Sequence, residues 1–528
     1  MPRTKIQRTI ATFDIETDPF LFGRTPEPFA VGFYDGETYA EFWGDDCIEE
    51  FISYLEDTDK TFTLYAHNGG RFDFYFLFEL LQNPIRIING RITSARFGRH
   101  NLRDSYAILP LPLREYDKGS IDFDKLERKN REKFRGEIST YLKRDCTSLY
   151  DWVQQFRARF GDKLTVGSAA IKELEKFHPF ERQGSAHDEK FRPYYFGGRV
   201  EAFRSGIHSG EWSIYDVNSM YPFVMSNFDH PTGRLYEFTT DLSYARQTAR
   251  PFFIQAVVIS KGAFPVRTDN APLQYPNGAM EIATTSHELN TAIRLGLCEV
   301  IHVNAIYVAS ETIRFSAWVE HFTKEKIAAK KAGNRALELF AKLMLNSAYG
   351  KFGSNPENYY DYEIHRPGDF WPGANWEIHF DYGNFLVLRT PARNRGTAYF
   401  DVATAASITG AARSVLLEAL HDSKNVIYCD TDSIICEKFN GRTNDTELGA
   451  WKLECSGTRI AIGGKKLYSL VDSNGIEQKQ AAKGVQLTTK EIFDIANGER
   501  IITDRQAPTF SLSRPKGDYF VTRQIRSR

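Results

Sequence analysis

Carboxylates at the ends of predicted strands constrain this chain more than any other feature, and they occur in two groups. The first group begins with Asp14 and Glu16, which end the strand-like segment TIATFDIE. Because side chains at i and i+2 lie on one face of a strand, both carboxylates project together. Two adjacent like charges are unfavourable unless a cation or a proton offsets them. The fold must therefore supply a compensating charge at this strand end.

A second acidic element follows another predicted strand, and a third lies on a long predicted helix. The segment from His67 to Asp73 leads from the strand-like FTLYAHN into the apolar FDFYFLFELL, where a carboxylate is costly without a partner. Apolar residues at intervals of four and three predict a helix over about 139–160. Tyr141 and Asp145, four residues apart, share one face of that helix.

Together these elements would form a site for two hard divalent cations. Such a pair, about 4 Å apart and held by oxygen ligands, activates water and stabilises the leaving oxygen in phosphodiester hydrolysis. A lone Asp-x-Glu is weak support, but three elements in suitable contexts favour catalysis. The four carboxylates are Asp14, Glu16, Asp73 and Asp145.

The second group of carboxylates lies between residues 213 and 435. The segment that ends at Asp216 is typical of a strand followed by a turn. Asp430 and Asp432 stand at the bend between two short apolar strands. An Asp-x-Asp alone is ambiguous, since metal-dependent sugar-nucleotide transferases use one as well.

A helix between these acidic segments carries a polar face that suits a nucleotide. Lys342, Asn346 and Tyr349 stand at i, i+4 and i+7, and Gly350 follows. A cation suits a phosphate, an aromatic ring suits a base, and a small residue allows close approach. The alternative is a solvated helix face. Lys330, together with its neighbour Lys331, extends the positive charge.

Whole-chain charge excludes no function class. The 528 residues carry 67 Lys and Arg against 68 Asp and Glu, which gives a formal net charge of −1. A nucleic-acid groove needs only a local excess of positive charge, and residues 86–103 hold five Arg and no acid. Such a run is more often a solvated face, so it gains weight only if catalytic motifs agree.

The sequence predicts a soluble protein of a reducing compartment. Its six cysteines are scattered without a Cys-x-x-Cys pair, which argues against a disulfide framework or a zinc ribbon. No apolar run approaches the ~18 residues that suggest a membrane span. Asp14 and Glu16 interrupt any signal-peptide pattern near the N-terminus.

Length and periodicity predict three or more domains. The first 65 residues follow a strand–hairpin–helix–strand order, with Asp35-Gly36 as the hairpin turn, and this order indicates an α/β domain. A stretch over 161–198 that contains Gly and Pro is a plausible linker. Strands dominate from about 210 onward, and they are interrupted by a strong helix over 334–350.

The motifs described so far resemble those of family B DNA polymerases. Asp14-Ile15-Glu16, Asn68 with Phe72-Asp73, and Tyr141 with Asp145 are similar to the three proofreading exonuclease motifs. The segments 216–222, 342–350 and 428–433 resemble polymerase motifs A, B and C. Tyr195-Phe196-Gly197-Gly198 resembles the Tyr-x-Gly-Gly motif between the two modules, and Lys466-Leu467-Tyr468 resembles the Lys-x-Tyr motif that contacts primer-template.

Within this family the chain resembles the protein-primed branch, and most of all the polymerases of tectiviruses. Asp104-Ser105-Tyr106 followed by 118–123 is similar to a segment typical of that branch, in which Lys118 would match an exonuclease lysine. Two departures occur. Three residues separate Asn68 from Phe72-Asp73, where some relatives have two, and Met220 stands where Leu is commoner.

The resemblance implies an α/β and α+β multidomain fold. A ribonuclease H-like 3′–5′ exonuclease domain would precede a right-hand polymerase with palm, fingers, thumb and two insertions. The implied boundaries are 1–170 for the exonuclease domain, 171–198 for the linker with the Tyr-x-Gly-Gly motif, 199–261 and 401–482 for the palm, 262–315 for a first insertion that contacts terminal protein and DNA, 316–353 for the fingers, 354–400 for a second insertion, and 483–528 for the thumb.

The resemblance also implies a role for each candidate site residue. Two Mg²⁺ ions per active site are expected, with Mn²⁺ as a substitute; Asp216, Asp432 and the backbone carbonyl of Val217 would hold them in the palm, with Asp430 alongside. Tyr221, Lys342, Asn346, Tyr349 and Lys330 would contact the nucleotide. Asn68, Phe76, Ser105 and Tyr106 would hold single-stranded DNA, and Tyr195, Gly197, Gly198, Lys466 and Tyr468 would contact primer-template.

The expected function is therefore DNA-dependent DNA synthesis with proofreading, which replicates a linear viral genome in the host cell cytoplasm. Expected partners are primer-template DNA, deoxynucleoside triphosphates, a terminal protein that serves as primer in a heterodimer, and a viral single-stranded DNA-binding protein; no membrane is involved. The aromatic-rich segment 354–400 is expected to form a hairpin arch over the DNA that meets the thumb and separates the strands, or else an embellishment that packs on the palm.

Three other interpretations stay open from the residues alone. One is an exonuclease with a degenerate polymerase half, although the carboxylates at 216, 430 and 432 argue against it. Another is a non-catalytic DNA-binding replication protein. A glycosyltransferase would explain Asp430 and Asp432 but nothing in the first 200 residues.

Overall fold

The structure, a computed structural model, describes residues 8–20, 25–111, 121–181, 183–268, 272–392, 401–505 and 521–526. Within these ranges, no helix is both long enough and apolar enough to cross a membrane.

The N-terminal part of the chain forms a mixed sheet with a long helix across one face. Its strand β1 pairs in parallel with β4 and antiparallel with β2. Strand β2 also pairs antiparallel with β3, as the predicted hairpin at Asp35-Gly36 requires. Apolar side chains such as Phe13, Phe33 and Phe51 fill the other face. The elements are β1 (Thr9–Thr17), β2 (Pro28–Tyr34), β3 (Tyr39–Trp43), α1 (Cys47–Asp57), β4 (Phe62–Ala66), α2 (Asp73–Phe76), β5 (Gln82–Ile88), β6 (Arg91–Phe97), β7 (His100–Asp104) and α3 (Arg135–Phe160).

Helix α3 lies close to this sheet because one position in β2 has no side chain. A Cβ at Gly32 would come within 2.8 Å of Leu142 Cγ and 2.9 Å of Cys146 Sγ. The hydroxyl of Thr12 on β1 donates a hydrogen bond to the Cys146 carbonyl, 2.8 Å away. Gly32 is the register partner of Asp14, so this close approach brings α3 next to the acidic strand end.

The stretch that the sequence predicts as a linker contains two helices, α4 (Val166–Phe177) and α5 (Ser185–Phe191). A capping box at Thr165 and Ser168 begins α4. Its apolar residues Ala169, Ala170 and Leu174 belong to the largest apolar core of the described chain.

The central part of the chain alternates sheet and helix. Strands β10, β13, β11 and β12, in that order, form one antiparallel sheet. This sheet takes two strands from the segment expected as palm and two from the expected first insertion. The elements are β8 (Val200–Ala202), β9 (Gly206–Val217), α6 (Met220–Asn227), β10 (His230–Thr239), α7 (Leu242–Gln247), β11 (Phe252–Lys261), β12 (Asn277–Thr285), α8 (Ser286–Arg294), β13 (Cys298–Ile313), α9 (Ser316–Lys331) and α10 (Arg335–Phe352).

The C-terminal part completes a seven-stranded sheet in the order β23-β22-β21-β9-β19-β18-β8. Strands β14, β16 and β15 instead continue the N-terminal sheet beyond β5. The elements are β14 (Tyr360–His365), β15 (Glu377–Asp381), β16 (Leu386–Pro391), α11 (Val402–Asp422), β17 (Ser423–Lys424), β18 (Tyr428–Asp430), β19 (Ser433–Cys436), β20 (Lys438–Phe439), β21 (Trp451–Gly464), β22 (Leu467–Val471), β23 (Glu477–Ala482), α12 (Thr489–Ala496), β24 (Ile501–Arg505) and β25 (Val521–Ile525).

A pair of histidines links α6, α8 and α11 inside this part of the protein. His230 contacts the Val224 carbonyl through Nε2 at 2.9 Å and the Ser407 hydroxyl through Nδ1 at 2.9 Å. His287 Nε2 lies 3.1 Å from the same hydroxyl. Burial lowers the pKa of His230 to about 3 and that of His287 to about 4, from an ordinary value of 6.5. Asp229, Glu288 and Arg314 are the charged groups that act on this pair.

This network predicts a loss of stability in mild acid. Because the pKa of His230 is lower in the folded protein, the unfolded chain binds more protons below about 6.5. The stabilisation that neutral His230 gives the folded protein is complete above about pH 6.5. It is lost as the pH falls toward 3, by at most roughly 1.4 kcal/mol per pH unit. The His230→Gln variant should therefore show a shallower fall of the thermal unfolding midpoint between pH 7.5 and pH 5 than the parent.

The exposed His302→Gln variant is the matched control and should keep the slope of the parent. If His230→Gln and the parent lose stability equally over this pH range, the histidine pair does not carry the effect.

Candidate active sites

The first acidic group forms a compact centre, as the sequence predicts. Asp14 and Glu16 on β1 meet Asp145 on α3, and one ligand atom from each lies within 4.8 Å of the others. Asp73 begins α2 and accepts a hydrogen bond from the Ile15 amide at 3.1 Å. These four side chains come from three separate elements, so only the folded chain brings them together.

The electrostatics of this centre favour a bound cation. Burial raises the pKa of Asp73 well above its ordinary value, and the charge of Asp14 adds to the shift. Burial and the neighbouring carboxylates also raise the pKa of the Cys146 thiol. An all-oxygen donor set with this excess of negative charge fits a hard divalent ion such as Mg²⁺.

Most of the residues expected to hold single-stranded DNA lie close to one another, beside β4 and β7. Asn68 has a left-handed backbone with φ of 63°, and Ser105 Oγ lies 3.0 Å from His67 Nδ1. The Tyr106 ring centroid lies 5.6 Å from that of His67. Phe76 is half-buried on α2 and packs edge-on against Phe72.

Sequence reasoning missed an arginine that connects this group. Arg91 Nη1 donates to Asn68 Oδ1 at 2.8 Å and to Asp104 Oδ2 at 2.6 Å. Its guanidinium lies 4.5 Å from the centroid of the Tyr106 ring. The only indication in the sequence was the basic run 86–103. Tyr141 is half-buried on α3, and Lys118 lies outside the described residues.

The carboxylates of the second acidic group come together at the ends of neighbouring strands in the seven-stranded sheet. Asp216 at the end of β9 is the register partner of Ser433 on β19, and the Val217 amide donates to the Asp432 carbonyl at 2.8 Å. Burial, reinforced by the charge of Asp432, raises the pKa of Asp216 to about 7. Burial raises the pKa of Asp432 to about 6. Two such carboxylates and a nearby backbone carbonyl also fit a hard divalent ion.

Asp430 differs from its two acidic neighbours because a lysine neutralises it. Lys466 Nζ lies 2.7 Å from Asp430 Oδ2 and 3.0 Å from Oδ1. The Lys466 amide donates to the Tyr428 hydroxyl at 2.9 Å. The expected indirect role of Asp430 stays a prediction. Tyr468, the other residue of the Lys-x-Tyr motif, packs 5.2 Å from the Tyr428 ring inside the sheet core.

The predicted nucleotide face on α10 meets the segment after Asp216. The Tyr349 ring stacks on the Tyr221 ring of α6, with centroids 3.9 Å apart and planes 13° apart. Lys342 and Asn346 are exposed on the same helix, and Lys330 is exposed in the last turn of α9.

The Tyr195–Gly198 segment packs between the end of α10 and the acidic turn that connects β18 and β19. A Cβ at Gly198 would come within 2.5 Å of the Thr431 hydroxyl, and a Cβ at Gly353 within 2.5 Å of the Tyr195 ring. A Cβ at Gly197 would meet nothing within 4 Å. Glycine is therefore required for close packing at 198 and leaves open space at 197.

A buried ion pair that sequence reasoning did not find holds this segment in place. Arg413 on α11 donates to the carbonyls of Phe196 and Gly197 at 2.6 and 2.8 Å. It also forms a two-pronged ion pair with Glu288 on α8, at 2.7 and 2.9 Å. Both side chains are almost fully buried. Residues so far apart in the chain give no local pattern that would predict the pair.

Comparisons with known proteins agree with these motifs. Residues 113–370 match the family described as DNA polymerase type B, organellar and viral. The chain is 44% identical over 498 residues to the DNA-directed DNA polymerase of Enterobacteria phage PRD1, which covers 93% of this chain and 88% of that protein. It is 25% identical over 504 residues to the DNA polymerase of Bacillus phage phi29, with 83% of each chain covered.

The fold is similar to solved structures of the phi29 DNA polymerase. An orthorhombic crystal form matches with a TM-score of 0.74 at 18% identity, over 99% of this chain and 100% of that one. The complex with primer-template DNA and incoming nucleotide substrates matches with a TM-score of 0.73 at 19% identity and the same coverage.

The geometry predicts two independent classes of divalent-ion site. In Mn²⁺ titrations followed by electron paramagnetic resonance, Asp14→Ala should remove the class formed by β1, α2 and α3 and leave the class at Asp216 and Asp432. Because Asp216 must lose its proton to bind an ion, affinity at the remaining class should fall by about tenfold per unit as the pH drops below about 7.

The exposed carboxylate variant Asp59→Ala serves as the control and should keep both classes. Loss of both classes in Asp14→Ala would contradict the two-centre interpretation. An affinity that stays constant from pH 8 to pH 6 would contradict the raised pKa of Asp216.

Proposed function

The chain belongs to the family B DNA polymerases of the phi29 and PRD1 type, and we propose that it couples DNA-directed DNA synthesis to 3′–5′ proofreading, protein-primed initiation and strand displacement. The observation that carries the proposal is the presence of two separate carboxylate centres in one chain. Each centre contains only oxygen ligands, and each contains a carboxylate whose pKa is raised by burial.

The palm centre would catalyse nucleotide transfer. Two Mg²⁺ ions, for which Mn²⁺ substitutes, would lower the pKa of the primer 3′-hydroxyl and stabilise charge on the triphosphate. Asp216, Asp432 and the Val217 carbonyl would hold them. Lys342 and Lys330, exposed on neighbouring helices, would meet the phosphates as point charges.

The stacked pair of tyrosines supports a site for the sugar and base. Tyr221 would lie under the deoxyribose of the incoming nucleotide, where a 2′-hydroxyl would clash with the ring. Tyr349 and Asn346 would line the nascent base pair. The stack of Tyr221 on Tyr349 lies between α6 and α10. Helix α6 begins four residues after Asp216, so a nucleotide on this stack would lie near the proposed metal ligands.

Primer-template DNA would pass over the turn that carries Asp430 and Asp432. The open space at Gly197 would allow a close approach by the DNA backbone, while Gly198 and Tyr195 fix the segment. Lys466 would contact the primer strand next to Asp430. Tyr468 would support this surface from within the sheet, where its buried ring packs against Tyr428.

The N-terminal centre would remove mispaired nucleotides from the primer end. Asp14, Glu16, Asp73 and Asp145 would hold the ions, with Tyr141 and Lys118 as further catalytic groups. Asn68, Ser105, Tyr106 and Phe76 would hold the unpaired strand by polar contacts and stacking. Arg91 would keep Asn68 and Tyr106 in position through its contacts with both.

The domain division expected from the resemblance is consistent with these centres. We propose that residues 1–170 form the exonuclease domain, 171–198 the connection, 316–353 the fingers and 483–528 the thumb. The palm would comprise 199–261 and 401–482, with insertions at 262–315 and 354–400.

The two activities should be separable by single substitutions. Asp14→Ala should remove the degradation of end-labelled single strands by several orders of magnitude while it leaves extension of a paired primer unchanged. Asp432→Ala should do the reverse, because the centres share no ligand. Both activities are measured on the same preparations, with Asp59→Ala as the surface control. Loss of extension in a folded Asp14→Ala protein would refute the assignment.

Initiation on a protein primer would involve a terminal protein bound as a heterodimer, with a viral single-stranded DNA-binding protein as a further partner in the infected host cell. The support is the resemblance to the protein-primed branch, which includes a segment at each expected insertion.

When the candidate terminal protein is incubated with the enzyme, template ends and labelled nucleotide, a covalent adduct should form that survives denaturation. Asp432→Ala should not form the adduct, and Asp14→Ala should. Equal labelling with Asp432→Ala would contradict priming by this centre.

The second insertion would separate the strands ahead of synthesis. Its described part contains three antiparallel strands, β14 to β16, which are rich in aromatic residues and continue the N-terminal sheet, rather than a loose loop. A folded element of this size inserted between the helix of motif B and α11 is expected to be functional. By resemblance it would arch over the DNA toward the thumb and keep the enzyme on its template.

Replacement of 356–398 by a short Gly/Ser linker should leave filling of single-stranded gaps but remove strand displacement. The measurement is product length with and without a downstream duplex, under a trap that allows one binding event. Degradation of single strands reports whether the N-terminal domain remains folded after the replacement. Long displacement products from the shortened enzyme in one encounter would exclude this role of the insertion.

A further inference from the structure

The second insertion is joined to the N-terminal domain by continuation of a sheet. Tyr362 on β14 is the register partner of Ile85 on β5. The Asn83 side chain adds two hydrogen bonds: its Nδ2 donates to the Ile364 carbonyl and its Oδ1 accepts from the Ile364 amide, both at 2.8 Å. An asparagine amide thus replaces the backbone of one strand residue in the ladder.

An arginine of the insertion fixes the same junction from the other side. Arg366 Nη2 donates to the carbonyls of Leu81 and Glu79, at 2.6 and 3.0 Å. These carbonyls belong to the turn that precedes β5, so Arg366 and Asn83 hold adjacent parts of one segment.

Apolar packing makes this junction a shared core. Ile364, Phe385 and Val387 of the insertion are buried in the same cluster as Phe78 and Leu81 of the N-terminal domain. The Phe78 ring centroid lies 5.6 Å from that of Phe385. The insertion therefore buries its apolar face on the N-terminal domain.

The root of the insertion is held by a different part of the chain. The Asp401 amide at the start of α11 donates to the Phe352 carbonyl at the end of α10, 3.1 Å away. Arg192 donates to the Ser354 carbonyl at 3.1 Å. The insertion is thus anchored at one end to the polymerase helices and at the other to the N-terminal sheet.

We propose that Asn83 and Arg366 are positioning residues for strand separation, and that the N-terminal domain holds the insertion in the orientation in which it separates the strands. The inference rests on the proposed role of the insertion in displacement. The N-terminal domain then contributes to displacement through its sheet edge, independently of its own carboxylate centre. Without the two hydrogen bonds of Asn83, both backbone groups of Ile364 lose their partner and the docked orientation loses its advantage.

The test compares Asn83→Ala with Gln82→Ala, a truncation of an exposed amide one residue earlier on β5. Loss of two hydrogen bonds should shift the docking equilibrium by about tenfold or more. Asn83→Ala should therefore lower the rate of synthesis through a downstream duplex by about tenfold, while gap filling and degradation of single strands stay within about twofold. Gln82→Ala should match the parent in all three assays.

A covalent link tests whether position, rather than general stability, is responsible. Ile85 and Tyr362 are register partners on antiparallel strands, so cysteines at both positions meet the distance that a disulfide requires. In the Asn83→Ala background, Ile85→Cys with Tyr362→Cys should restore displacement when oxidised and lose it again when reduced. Asn83→Ala without these cysteines, treated with the same oxidant, is the control.

The outcomes separate this inference from the function on which it rests. Normal displacement in Asn83→Ala and in Arg366→Gln, together with loss in the 356–398 replacement, would overturn the positioning role alone. Normal displacement in the replacement itself would overturn the role of the insertion. If Asn83→Ala impairs gap filling to the same degree as displacement and oxidation of the cysteine pair restores neither, the junction serves stability only and the inference is wrong.

Discussion

Carboxylates held at short distance repel one another, and the folded chain must offset this repulsion at both acidic groups. Asp14, Glu16 and Asp145 converge within 4.8 Å, and burial together with the charge of Asp432 raises the pKa of Asp216. Isolated, such groups would separate or bind protons. They stay together because apolar cores fix the strands and helix that carry them, and under the proposed function divalent ions would offset their charge. Each centre thus takes its geometry from the packed elements that carry its carboxylates.

The segment Tyr195–Gly198, which lies between the two acidic groups in the sequence, is held by a different interaction, a buried ion pair. Arg413 and Glu288 each have several charged hydrogen bonds, and Arg413 also holds the carbonyls of Phe196 and Gly197. A buried pair of this kind adds little net stability compared with apolar packing, but removal of one partner leaves an unpaired buried charge. Its value here is orientation: it fixes the segment that touches both Gly353 and the turn of Asp432.

Sequence patterns predicted the local features well. Alternation placed Asp14 and Glu16 on one strand face, and apolar spacing predicted α3 and α10 to within a few residues. Long-range contacts had no such pattern. Arg91 lay hidden in a basic run, the Arg413–Glu288 pair joins residues 125 positions apart, and Asn83 meets Ile364 from 281 positions away. The Gly and Pro of the stretch 161–198 gave no sign that its apolar residues form α4 and pack in the largest apolar core of the described chain. The attachment of the second insertion to the N-terminal sheet was likewise unforeseen, since one strand edge resembles another in sequence.

Under the proposed function, one polypeptide adds and removes nucleotides at the same primer end through two centres. Idle turnover measures this most directly, because release of deoxynucleoside monophosphate from the triphosphate requires both reactions in succession. With a paired primer and only the next correct nucleotide supplied, the parent enzyme should release labelled monophosphate continuously, and Asp14→Ala should extend the primer once and release none. Absence of monophosphate with the parent, or an equal rate with Asp14→Ala, would contradict the account.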